Sequence, residues 1–521
     1  MARRGRGPLD VSSPETAPPG GTHEHAKAKA AQHRRAIASI AIAVFVCWLG
    51  STAFLSSGQA VATTLDATRT EVSLALSAYA VALILVCVAG GRLADIAGRK
   101  RLFLWAAIIF SIVGLIAPFV QSLLGLFALR ATMGAAAGII LSATGGVLVT
   151  TMHGAARHNA WLWWRGAGMA GVVLGPVLGP LITDTITWRW IEPLSSLAMI
   201  LAVILGAMNM KESHDDEAAF SPAMILPTLL LGVGLLAPYL LIVFARESVG
   251  NIVLWAAVIV MGIVAVAGFI VLNRRLVNPV FNQNIASHNP RLWLTDSFSA
   301  IHICGLFVAL AAYSVALEIG AGLTTGETAL VMLLMAVPTI GFHLSAHHVR
   351  ERWAFTRQAQ TEIGCVLLVL SVVFFYVLNR GEITVWTMVP TLVLAGSGFG
   401  MLRLFGHMGV IKTTGVRWAA TLFGTRTFGN HSGTALGGLV VGVVLASTST
   451  TLVAQDPKLA MQAATIANIA IITVVVVTGI FILLKHQVLG FEDVHWHGGE
   501  PDIVEDTSVA SAPTRPENPS S

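Results

Sequence analysis

Five ionisable side chains stand where hydrocarbon surrounds them. Arg130, Arg403, Arg426, Asp296 and Glu192 lie within or at the ends of long aliphatic runs, in a chain that is 55% hydrophobic and 11% charged. A charge in such a setting is costly and is kept where it pairs with another, carries a proton or meets a charged solute. A guanidinium needs a carboxylate, a phosphate or carbonyl oxygens around it. Glu318 and Glu362 lie near the ends of apolar runs, where solvation accounts for them. His302, His343, His407 and His431 fall in or near the apolar runs of the second half. Imidazole titrates near neutrality, which suits a proton relay, although a hydrogen-bonded packing role explains a lone histidine as well. Other chemistries lack their residues. No Gly-rich run ending in Gly-Lys-Ser/Thr is present, so direct ATP drive is not expected. No His/Cys set has metal-ligand spacing, and neither a metal nor a cofactor is expected. The four cysteines all fall inside apolar runs, which argues against a disulfide framework. The chain reads as neither an enzyme nor a nucleic-acid binder.

Two short stretches add conformational chemistry. Residues 90–105 read GGRLADIAGRKRLFLW. Gly91 permits close helix approach, Asp95 can cap a helix N-terminus or pair with a cation, and Gly98 permits a tight turn before Arg99. The basic residues also suit a simple interfacial anchor. Further on, GVVLGPVLGP places Gly171, Gly175 and Gly179 on one helix face, with Pro176 and Pro180 able to bend it. Helix packing and a gating surface explain that glycine stripe equally well.

The elements that position these residues follow from hydropathy. Apolar runs of membrane-crossing length recur near 36–60, 72–91, 102–121, 124–150, 159–183, 188–209, 222–245, 251–272, 293–320, 327–347, 358–378, 384–410, 418–446 and 462–485. In lipid the backbone must satisfy itself, so helices are expected. The fold class is therefore an all-α polytopic membrane protein of 14 transmembrane helices. A disordered cytoplasmic tail (1–35) precedes a six-helix half (36–209), two inserted helices (222–272), a second six-helix half (293–485) and a disordered cytoplasmic tail (487–521). With an even count both tails share a side. That side holds most of the basic residues, leaving Arg69, Arg189, Arg246, Arg380 and Lys458 opposite. The positive-inside rule then puts both termini in the cytoplasm.

These motifs resemble the major facilitator superfamily, specifically its 14-span drug:proton antiporter branch. The glycine, aspartate, glycine and basic pair of residues 90–105 resemble its loop signature, with Ile96 where Arg usually follows the Asp. Arg130 and Gly134 resemble its buried Arg-x-x-Gln-Gly stretch, with Met133 for the Gln. GVVLGPVLGP resembles the antiporter signature, with Pro180 for the last Gly. WRWI at 188–191, the linker LVNPVFNQNIASHNPRLW, GLTTGETALVMLLMAVP and TRTFGNHSGTALGG fit the same branch. The resemblance implies a midplane cavity between two rocking halves, with Asp95 and Arg99 as a latch. It implies proton-coupled export of small molecules by a monomer in the bacterial cytoplasmic membrane. For Arg130 it implies a structural and relay role or direct substrate contact.

One departure is pointed. The branch carries Leu-Asp-x-Thr in its first span, and LGSTAFLSSGQ at 49–59 puts Gly50 in the place of the Asp. Glu192 replaces an aromatic at the opening of the sixth span. The first-span acid being absent, proton coupling must be carried elsewhere or be altered. Arg130, Arg403 and Arg426 also have no obvious equal number of buried acids, so an anionic or zwitterionic substrate is a second expectation. A membrane protein that no longer transports and acts as a sensor is a third.

Overall fold

A computed structural model of the chain describes residues 19–54, 57–216, 221–244, 252–276, 279–280, 290–353, 356–379, 382–402, 416–448 and 457–488. Among these residues the regular structure is helical, with no strand. In chain order the helices are α1 Pro19–Thr52, α2 Gly58–Leu65, α3 Arg69–Ala97, α4 Arg99–Ile116, α5 Leu123–Thr151, α6 Gly154–Thr185, α7 Ile191–Asn209 and α8 Ile225–Phe244. There follow α9 Ile252–Asn273, α10 Pro290–Gly320, α11 Thr325–Trp353, α12 Arg357–Leu378, α13 Val385–Met401, α14 Ala419–Thr448 and α15 Pro457–Val488.

Eleven helices are long and apolar enough to cross a membrane, and shorter apolar stretches run over Pro222–Gly234 and Val385–Met401, all counted among the described residues. The helix Ala419–Thr448 carries Arg426, Asn430, His431 and most of its threonines in its first half. Exposure confirms a lipid setting. Ile109, Ile112 and Ile116 form an exposed face of α4, while Phe103, Ala107 and Phe110 opposite them are buried. A helix apolar on both faces is at home in hydrocarbon and not in water. Helix starts carry their own chemistry. Thr68 and Glu71 form a capping box on α3, and Ser122 accepts from the Gly125 N–H on α5.

Two expected boundaries are corrected. The segment 19–35, expected to be part of a disordered tail, is helical and continuous with the first span. Its alanines, lysines and arginines are strong helix formers and simply extend the span outward. The run 36–60 is not one helix. α1 stops at Thr52, and a separate short helix begins at Gly58. Of the expected tails 1–35 and 487–521, residues 1–18 and 489–521 lie outside the described residues.

The helices pack in two groups. In the first, α1 lies on α6 and α7, α3 on α5, and α4 on α5 and α7. In the second, α10 lies on α14 and α15, α13 on α11 and α12, and α12 on α15. The groups meet along two seams: α14 against α3 and α5, and α11 against α6. α8 and α9 pack on each other, with α8 leaning on α3 and α14.

Contacts inside the first group are backbone-close. Ser142 donates to the Cys87 carbonyl, and a Cβ on Gly134 would collide with the Tyr79 carbonyl of α3. Gly134→Ala should therefore force a backbone shift and cost about 1–3 kcal/mol. Gly341→Ala, with nothing within 4 Å of the added carbon, should cost nothing. Thermal unfolding of the two purified variants beside the parent protein checks the difference.

Candidate functional site

The seam between α3 and α14 is built around one carboxylate. Asp95, in the last turn of α3 and fully buried, accepts from the backbone N–H of Ala420 at 3.0 Å and of Thr421 at 2.9 Å. It also accepts from the Thr421 hydroxyl at 2.7 Å. Those are the first donors of α14, which a helix cannot satisfy from within. An acid from one helix group thus serves as the N-terminal cap of a helix in the other. Charge suits the position, because the exposed N–H groups of a helix start carry partial positive charge. Arg99, on the first turn of α4, completes the arrangement. Its Nε donates to Asp95 at 2.8 Å, and Nη2 donates to the Arg417 carbonyl at 3.2 Å.

The glycines make this approach possible. A Cβ on Gly91 would collide with the Ala420 carbonyl. Gly98 sits at φ +109°, where a side chain is strained, and is at once the C-cap of α3 and the N-cap of α4. The four residues singled out in the sequence, Gly91, Asp95, Gly98 and Arg99, are therefore gathered at one seam.

A second acid supports the first. Asp215, in the segment after α7, receives Arg417 Nε at 2.9 Å and Arg92 Nη1 at 3.4 Å. Arg92 also lies 3.9 Å above the Trp418 ring. The Asp215 N–H donates to the Asp95 carbonyl at 2.7 Å. Sequence reasoning missed Asp215, Arg417 and Trp418 as site residues. Asp215 is followed by Asp216, which is 89% exposed at its side chain while Asp215 is 3% exposed. Nothing in their order separates the two.

Deeper in the first group Arg130 finds its carboxylate. Arg130 on α5 pairs with Glu192 on α7, both buried. Its Nη2 donates to the Gly50 carbonyl at 2.9 Å and its Nε to the Leu76 carbonyl at 3.4 Å. Its guanidinium lies 4.4 Å from the Tyr79 ring and 4.9 Å from that of Phe54. The side chain ties α5 to α1, α3 and α7. Where the family places an acid, Gly50 presents only a carbonyl, and the charge that answers Arg130 comes from α7. Tyr79 shows why a larger residue is disfavoured at position 50. A Cβ on Gly50 would meet the Tyr79 hydroxyl at 3.1 Å, and that hydroxyl already donates to the Cys47 carbonyl at 2.7 Å.

In the second group Arg426 on α14 stands 4.0 Å from Asp296 on α10 and donates to Ser299 at 3.2 Å. The expectation of too few buried acids is therefore corrected. Arg130 and Arg426 each have a carboxylate, contributed by a helix distant in sequence. Arg403 lies outside the described residues. His431 bridges the groups. Its ring stacks on Trp48 of α1 at 4.0 Å, and Nε2 is 3.2 Å from the Ser51 hydroxyl. The glycine stripe turns elsewhere. Gly171, Gly175 and Gly179 all face α1, against Phe45, Thr52 and Ala53, and Pro176 lies inside an unbroken α6. The surface α6 offers to α11 is a different one, near Gly166 and Leu344.

A family model described as Major Facilitator Superfamily matches residues 40–438, across both groups and both seams. The chain belongs to the major facilitator superfamily. Superfamily relatives include the puromycin resistance protein pur8 of Streptomyces alboniger, 26% identical over 241 residues, covering 46% of this chain and 47% of that protein. The multidrug efflux pump LfrA of Mycolicibacterium smegmatis is 25% identical over 340 residues, with 64% and 65% coverage. Multidrug resistance protein 3 of Bacillus subtilis is 22% identical over 393 residues, with 71% of each chain covered. The chain thus spans about half of the first relative's length and just under two thirds of the second's. The superfamily fold is matched by tetrameric PepTSo2, with a TM-score of 0.56 at 14% identity over 87% of this chain and 98% of that one. An auto inhibited peptide transporter of the POT family gives 0.54 at 16% identity, covering 89% and 98%.

Removing Asp95 leaves Arg99 buried beside an uncapped helix start. Asp95→Ala should destabilise the fold by about 3–5 kcal/mol, the range for a buried pair broken from one side. Together with Thr421→Val the losses should fall short of additive by about 0.5–3 kcal/mol, as expected for residues in one network. A double-mutant cycle on the purified protein measures that coupling, and strict additivity would show that the Asp95–Thr421 contact carries nothing.

Proposed function

We propose that this chain is a secondary transporter that exports small molecules by alternating access, coupled to protons. In this reading it is a fourteen-span monomer of the bacterial cytoplasmic membrane with both termini inside, and it is not an enzyme. The observation that carries the reading is the cap that Asp95 places on α14 from the other helix group. Such a bond set closes one end of a two-group bundle and can be undone without disturbing the packing inside either group. Gly91, Asp95, Gly98 and Arg99 then act as a latch. Its breakage, with rotation about the α6–α11 seam, gives access from the other side. The relatives named for puromycin resistance and multidrug efflux support a drug-like small molecule as cargo.

Coupling is assigned to Glu192 and Arg130. Protonating Glu192 removes the charge that holds Arg130 to α7 and leaves the guanidinium with the carbonyls of Gly50 and Leu76. One proton thereby alters how α1, α3, α5 and α7 are tied together. Asp296 and Arg426 would play the matching part in the second group. One observation favours an anionic or zwitterionic cargo as the second reading. Arg426 Nη1 is buried 4.0 Å from Asp296 Oδ1 and makes no hydrogen bond among the described residues, so a substrate carboxylate would supply the missing one.

Export of a lipophilic cationic dye from cells lacking their own pumps tests both readings. An uncoupler should abolish it, and Glu192→Gln should slow it about a hundredfold, the lower end for losing a proton-transfer group. Export indifferent to the uncoupler would remove proton coupling. Arg426→Gln should weaken export of an anionic analogue more than export of the cation, and equal effects on both would remove the second reading.

A further inference from the structure

The end of the bundle that carries the Asp95 cap also holds a cleft of about 490 Å³ that takes no part in the seam. Lys29 and His33 of α1, His153 at the turn between α5 and α6, and Lys211 after α7 converge on it, with Thr150 and Thr151 in its wall. Lys29, Lys211 and His153 all stand with His33 in this lining. Among the described residues no acid pairs with any of these four basic groups. The one carboxylate in the lining, Glu212, is already engaged. It accepts from the backbone N–H groups of Lys100, Arg101 and Ser213, at 2.9–3.0 Å, and so neutralises the start of α4. His153 occupies the N-cap of α6 without a side-chain cap bond, which adds the positive end of a 32-residue helix.

A preference for basic residues on one membrane face accounts for their number there. It does not account for four of them, from three separate chain segments, meeting around one concavity whose one carboxylate, Glu212, is turned to the start of α4. We propose that this cleft binds a phosphate-bearing anion, either a lipid headgroup or a soluble phosphate. Two ammonium groups and two imidazoles suit the several oxygens of a phosphoryl group, and the volume admits more than inorganic phosphate alone.

The site reaches the seam through a short piece of chain. Lys211, Glu212 and Ser213 line the cleft. The Ser213 carbonyl accepts from the Arg99 N–H at 3.0 Å, and the Asp215 N–H donates to the Asp95 carbonyl at 2.7 Å. Asp215 in turn holds Arg92 and Arg417. An anion bound to Lys211 therefore steadies the segment on which the Asp95 cluster is built. This inference goes beyond the transport reading and is read out without transport.

The test uses the full chain in nanodiscs of phosphatidylcholine, in two arms. One titrates inorganic phosphate, and the other replaces part of the lipid with phosphatidylglycerol. Thermal stability and hydrogen exchange over residues 211–216 and at Ala420 and Thr421 are followed. Higher stability and slower exchange in the first arm identify a soluble anion, and in the second arm alone a lipid headgroup. Lys29→Gln with Lys211→Gln should weaken either response about twenty-fivefold, about fivefold for each lysine. Lys27→Gln, an exposed lysine outside the cleft, should leave it unchanged. No response in either arm, or a response that survives the double substitution, overturns the site. Binding that leaves exchange at Ala420 and Thr421 unaltered overturns its link to the seam.

Discussion

A helix start cannot satisfy its own first N–H groups, and in this protein α14 meets that need with an acid from the opposite helix group. The rest of the seam follows from that requirement. Asp95 must come within hydrogen-bond distance of Ala420 and Thr421, so the facing residue one turn earlier, Gly91, has no side chain. A buried carboxylate needs a cation, and Arg99 supplies it from the next helix at i+4. Arg99 and Arg417 then need their own oxygens, and the segment after α7 is drawn in through Ser213 and Asp215. The result is a polar cluster in which each ion offsets the desolvation of its neighbour, a condition that buried charges must meet to be tolerated.

The ion pair of Arg130 and Glu192 obeys the same constraint in a more apolar place. Away from water the guanidinium can persist only with a full shell, and it takes carbonyls from α1 and α3 together with a carboxylate from α7. Tyr79 stands close beside Gly50, so a side chain there would have to displace its ring, and the negative charge that meets Arg130 resides on a neighbouring helix. Arg426 and Asp296 are spaced more widely, so the two groups do not hold their central charges equally firmly.

Much of this was legible in the order of residues, for a physical reason. Spans announce themselves by length and hydropathy, and a Gly, Asp, Gly, Arg series at fixed spacing describes a local geometry that the chain carries with it. Gly98 at positive φ and Asp95 beside Arg99 are of that kind. The partners were not legible. Glu192 answering Arg130 is a contact across 62 positions, and Asp215 differs from Asp216 only in where the fold buries it. The glycines of α6 were readable as a smooth face but not as one turned toward α1 and away from the second group. The extension of α1 back to Pro19 was hidden because a polar, alanine-rich stretch reads as tail by composition and as helix by propensity.

Gly98 has a further mechanical consequence. It is the whole joint between α3 and α4, one residue shared by two helices, with no loop to absorb a change of tilt. Lys100, two residues on, grips the last carbonyls of α7, at Ala207 and Met210, at 2.8 and 2.9 Å. There is no slack between these three helices. Gly98 and Lys100 therefore join α3, α4 and α7 at this end of the bundle, so the Asp95 cap is tied to three helices of its own group and not to α3 alone.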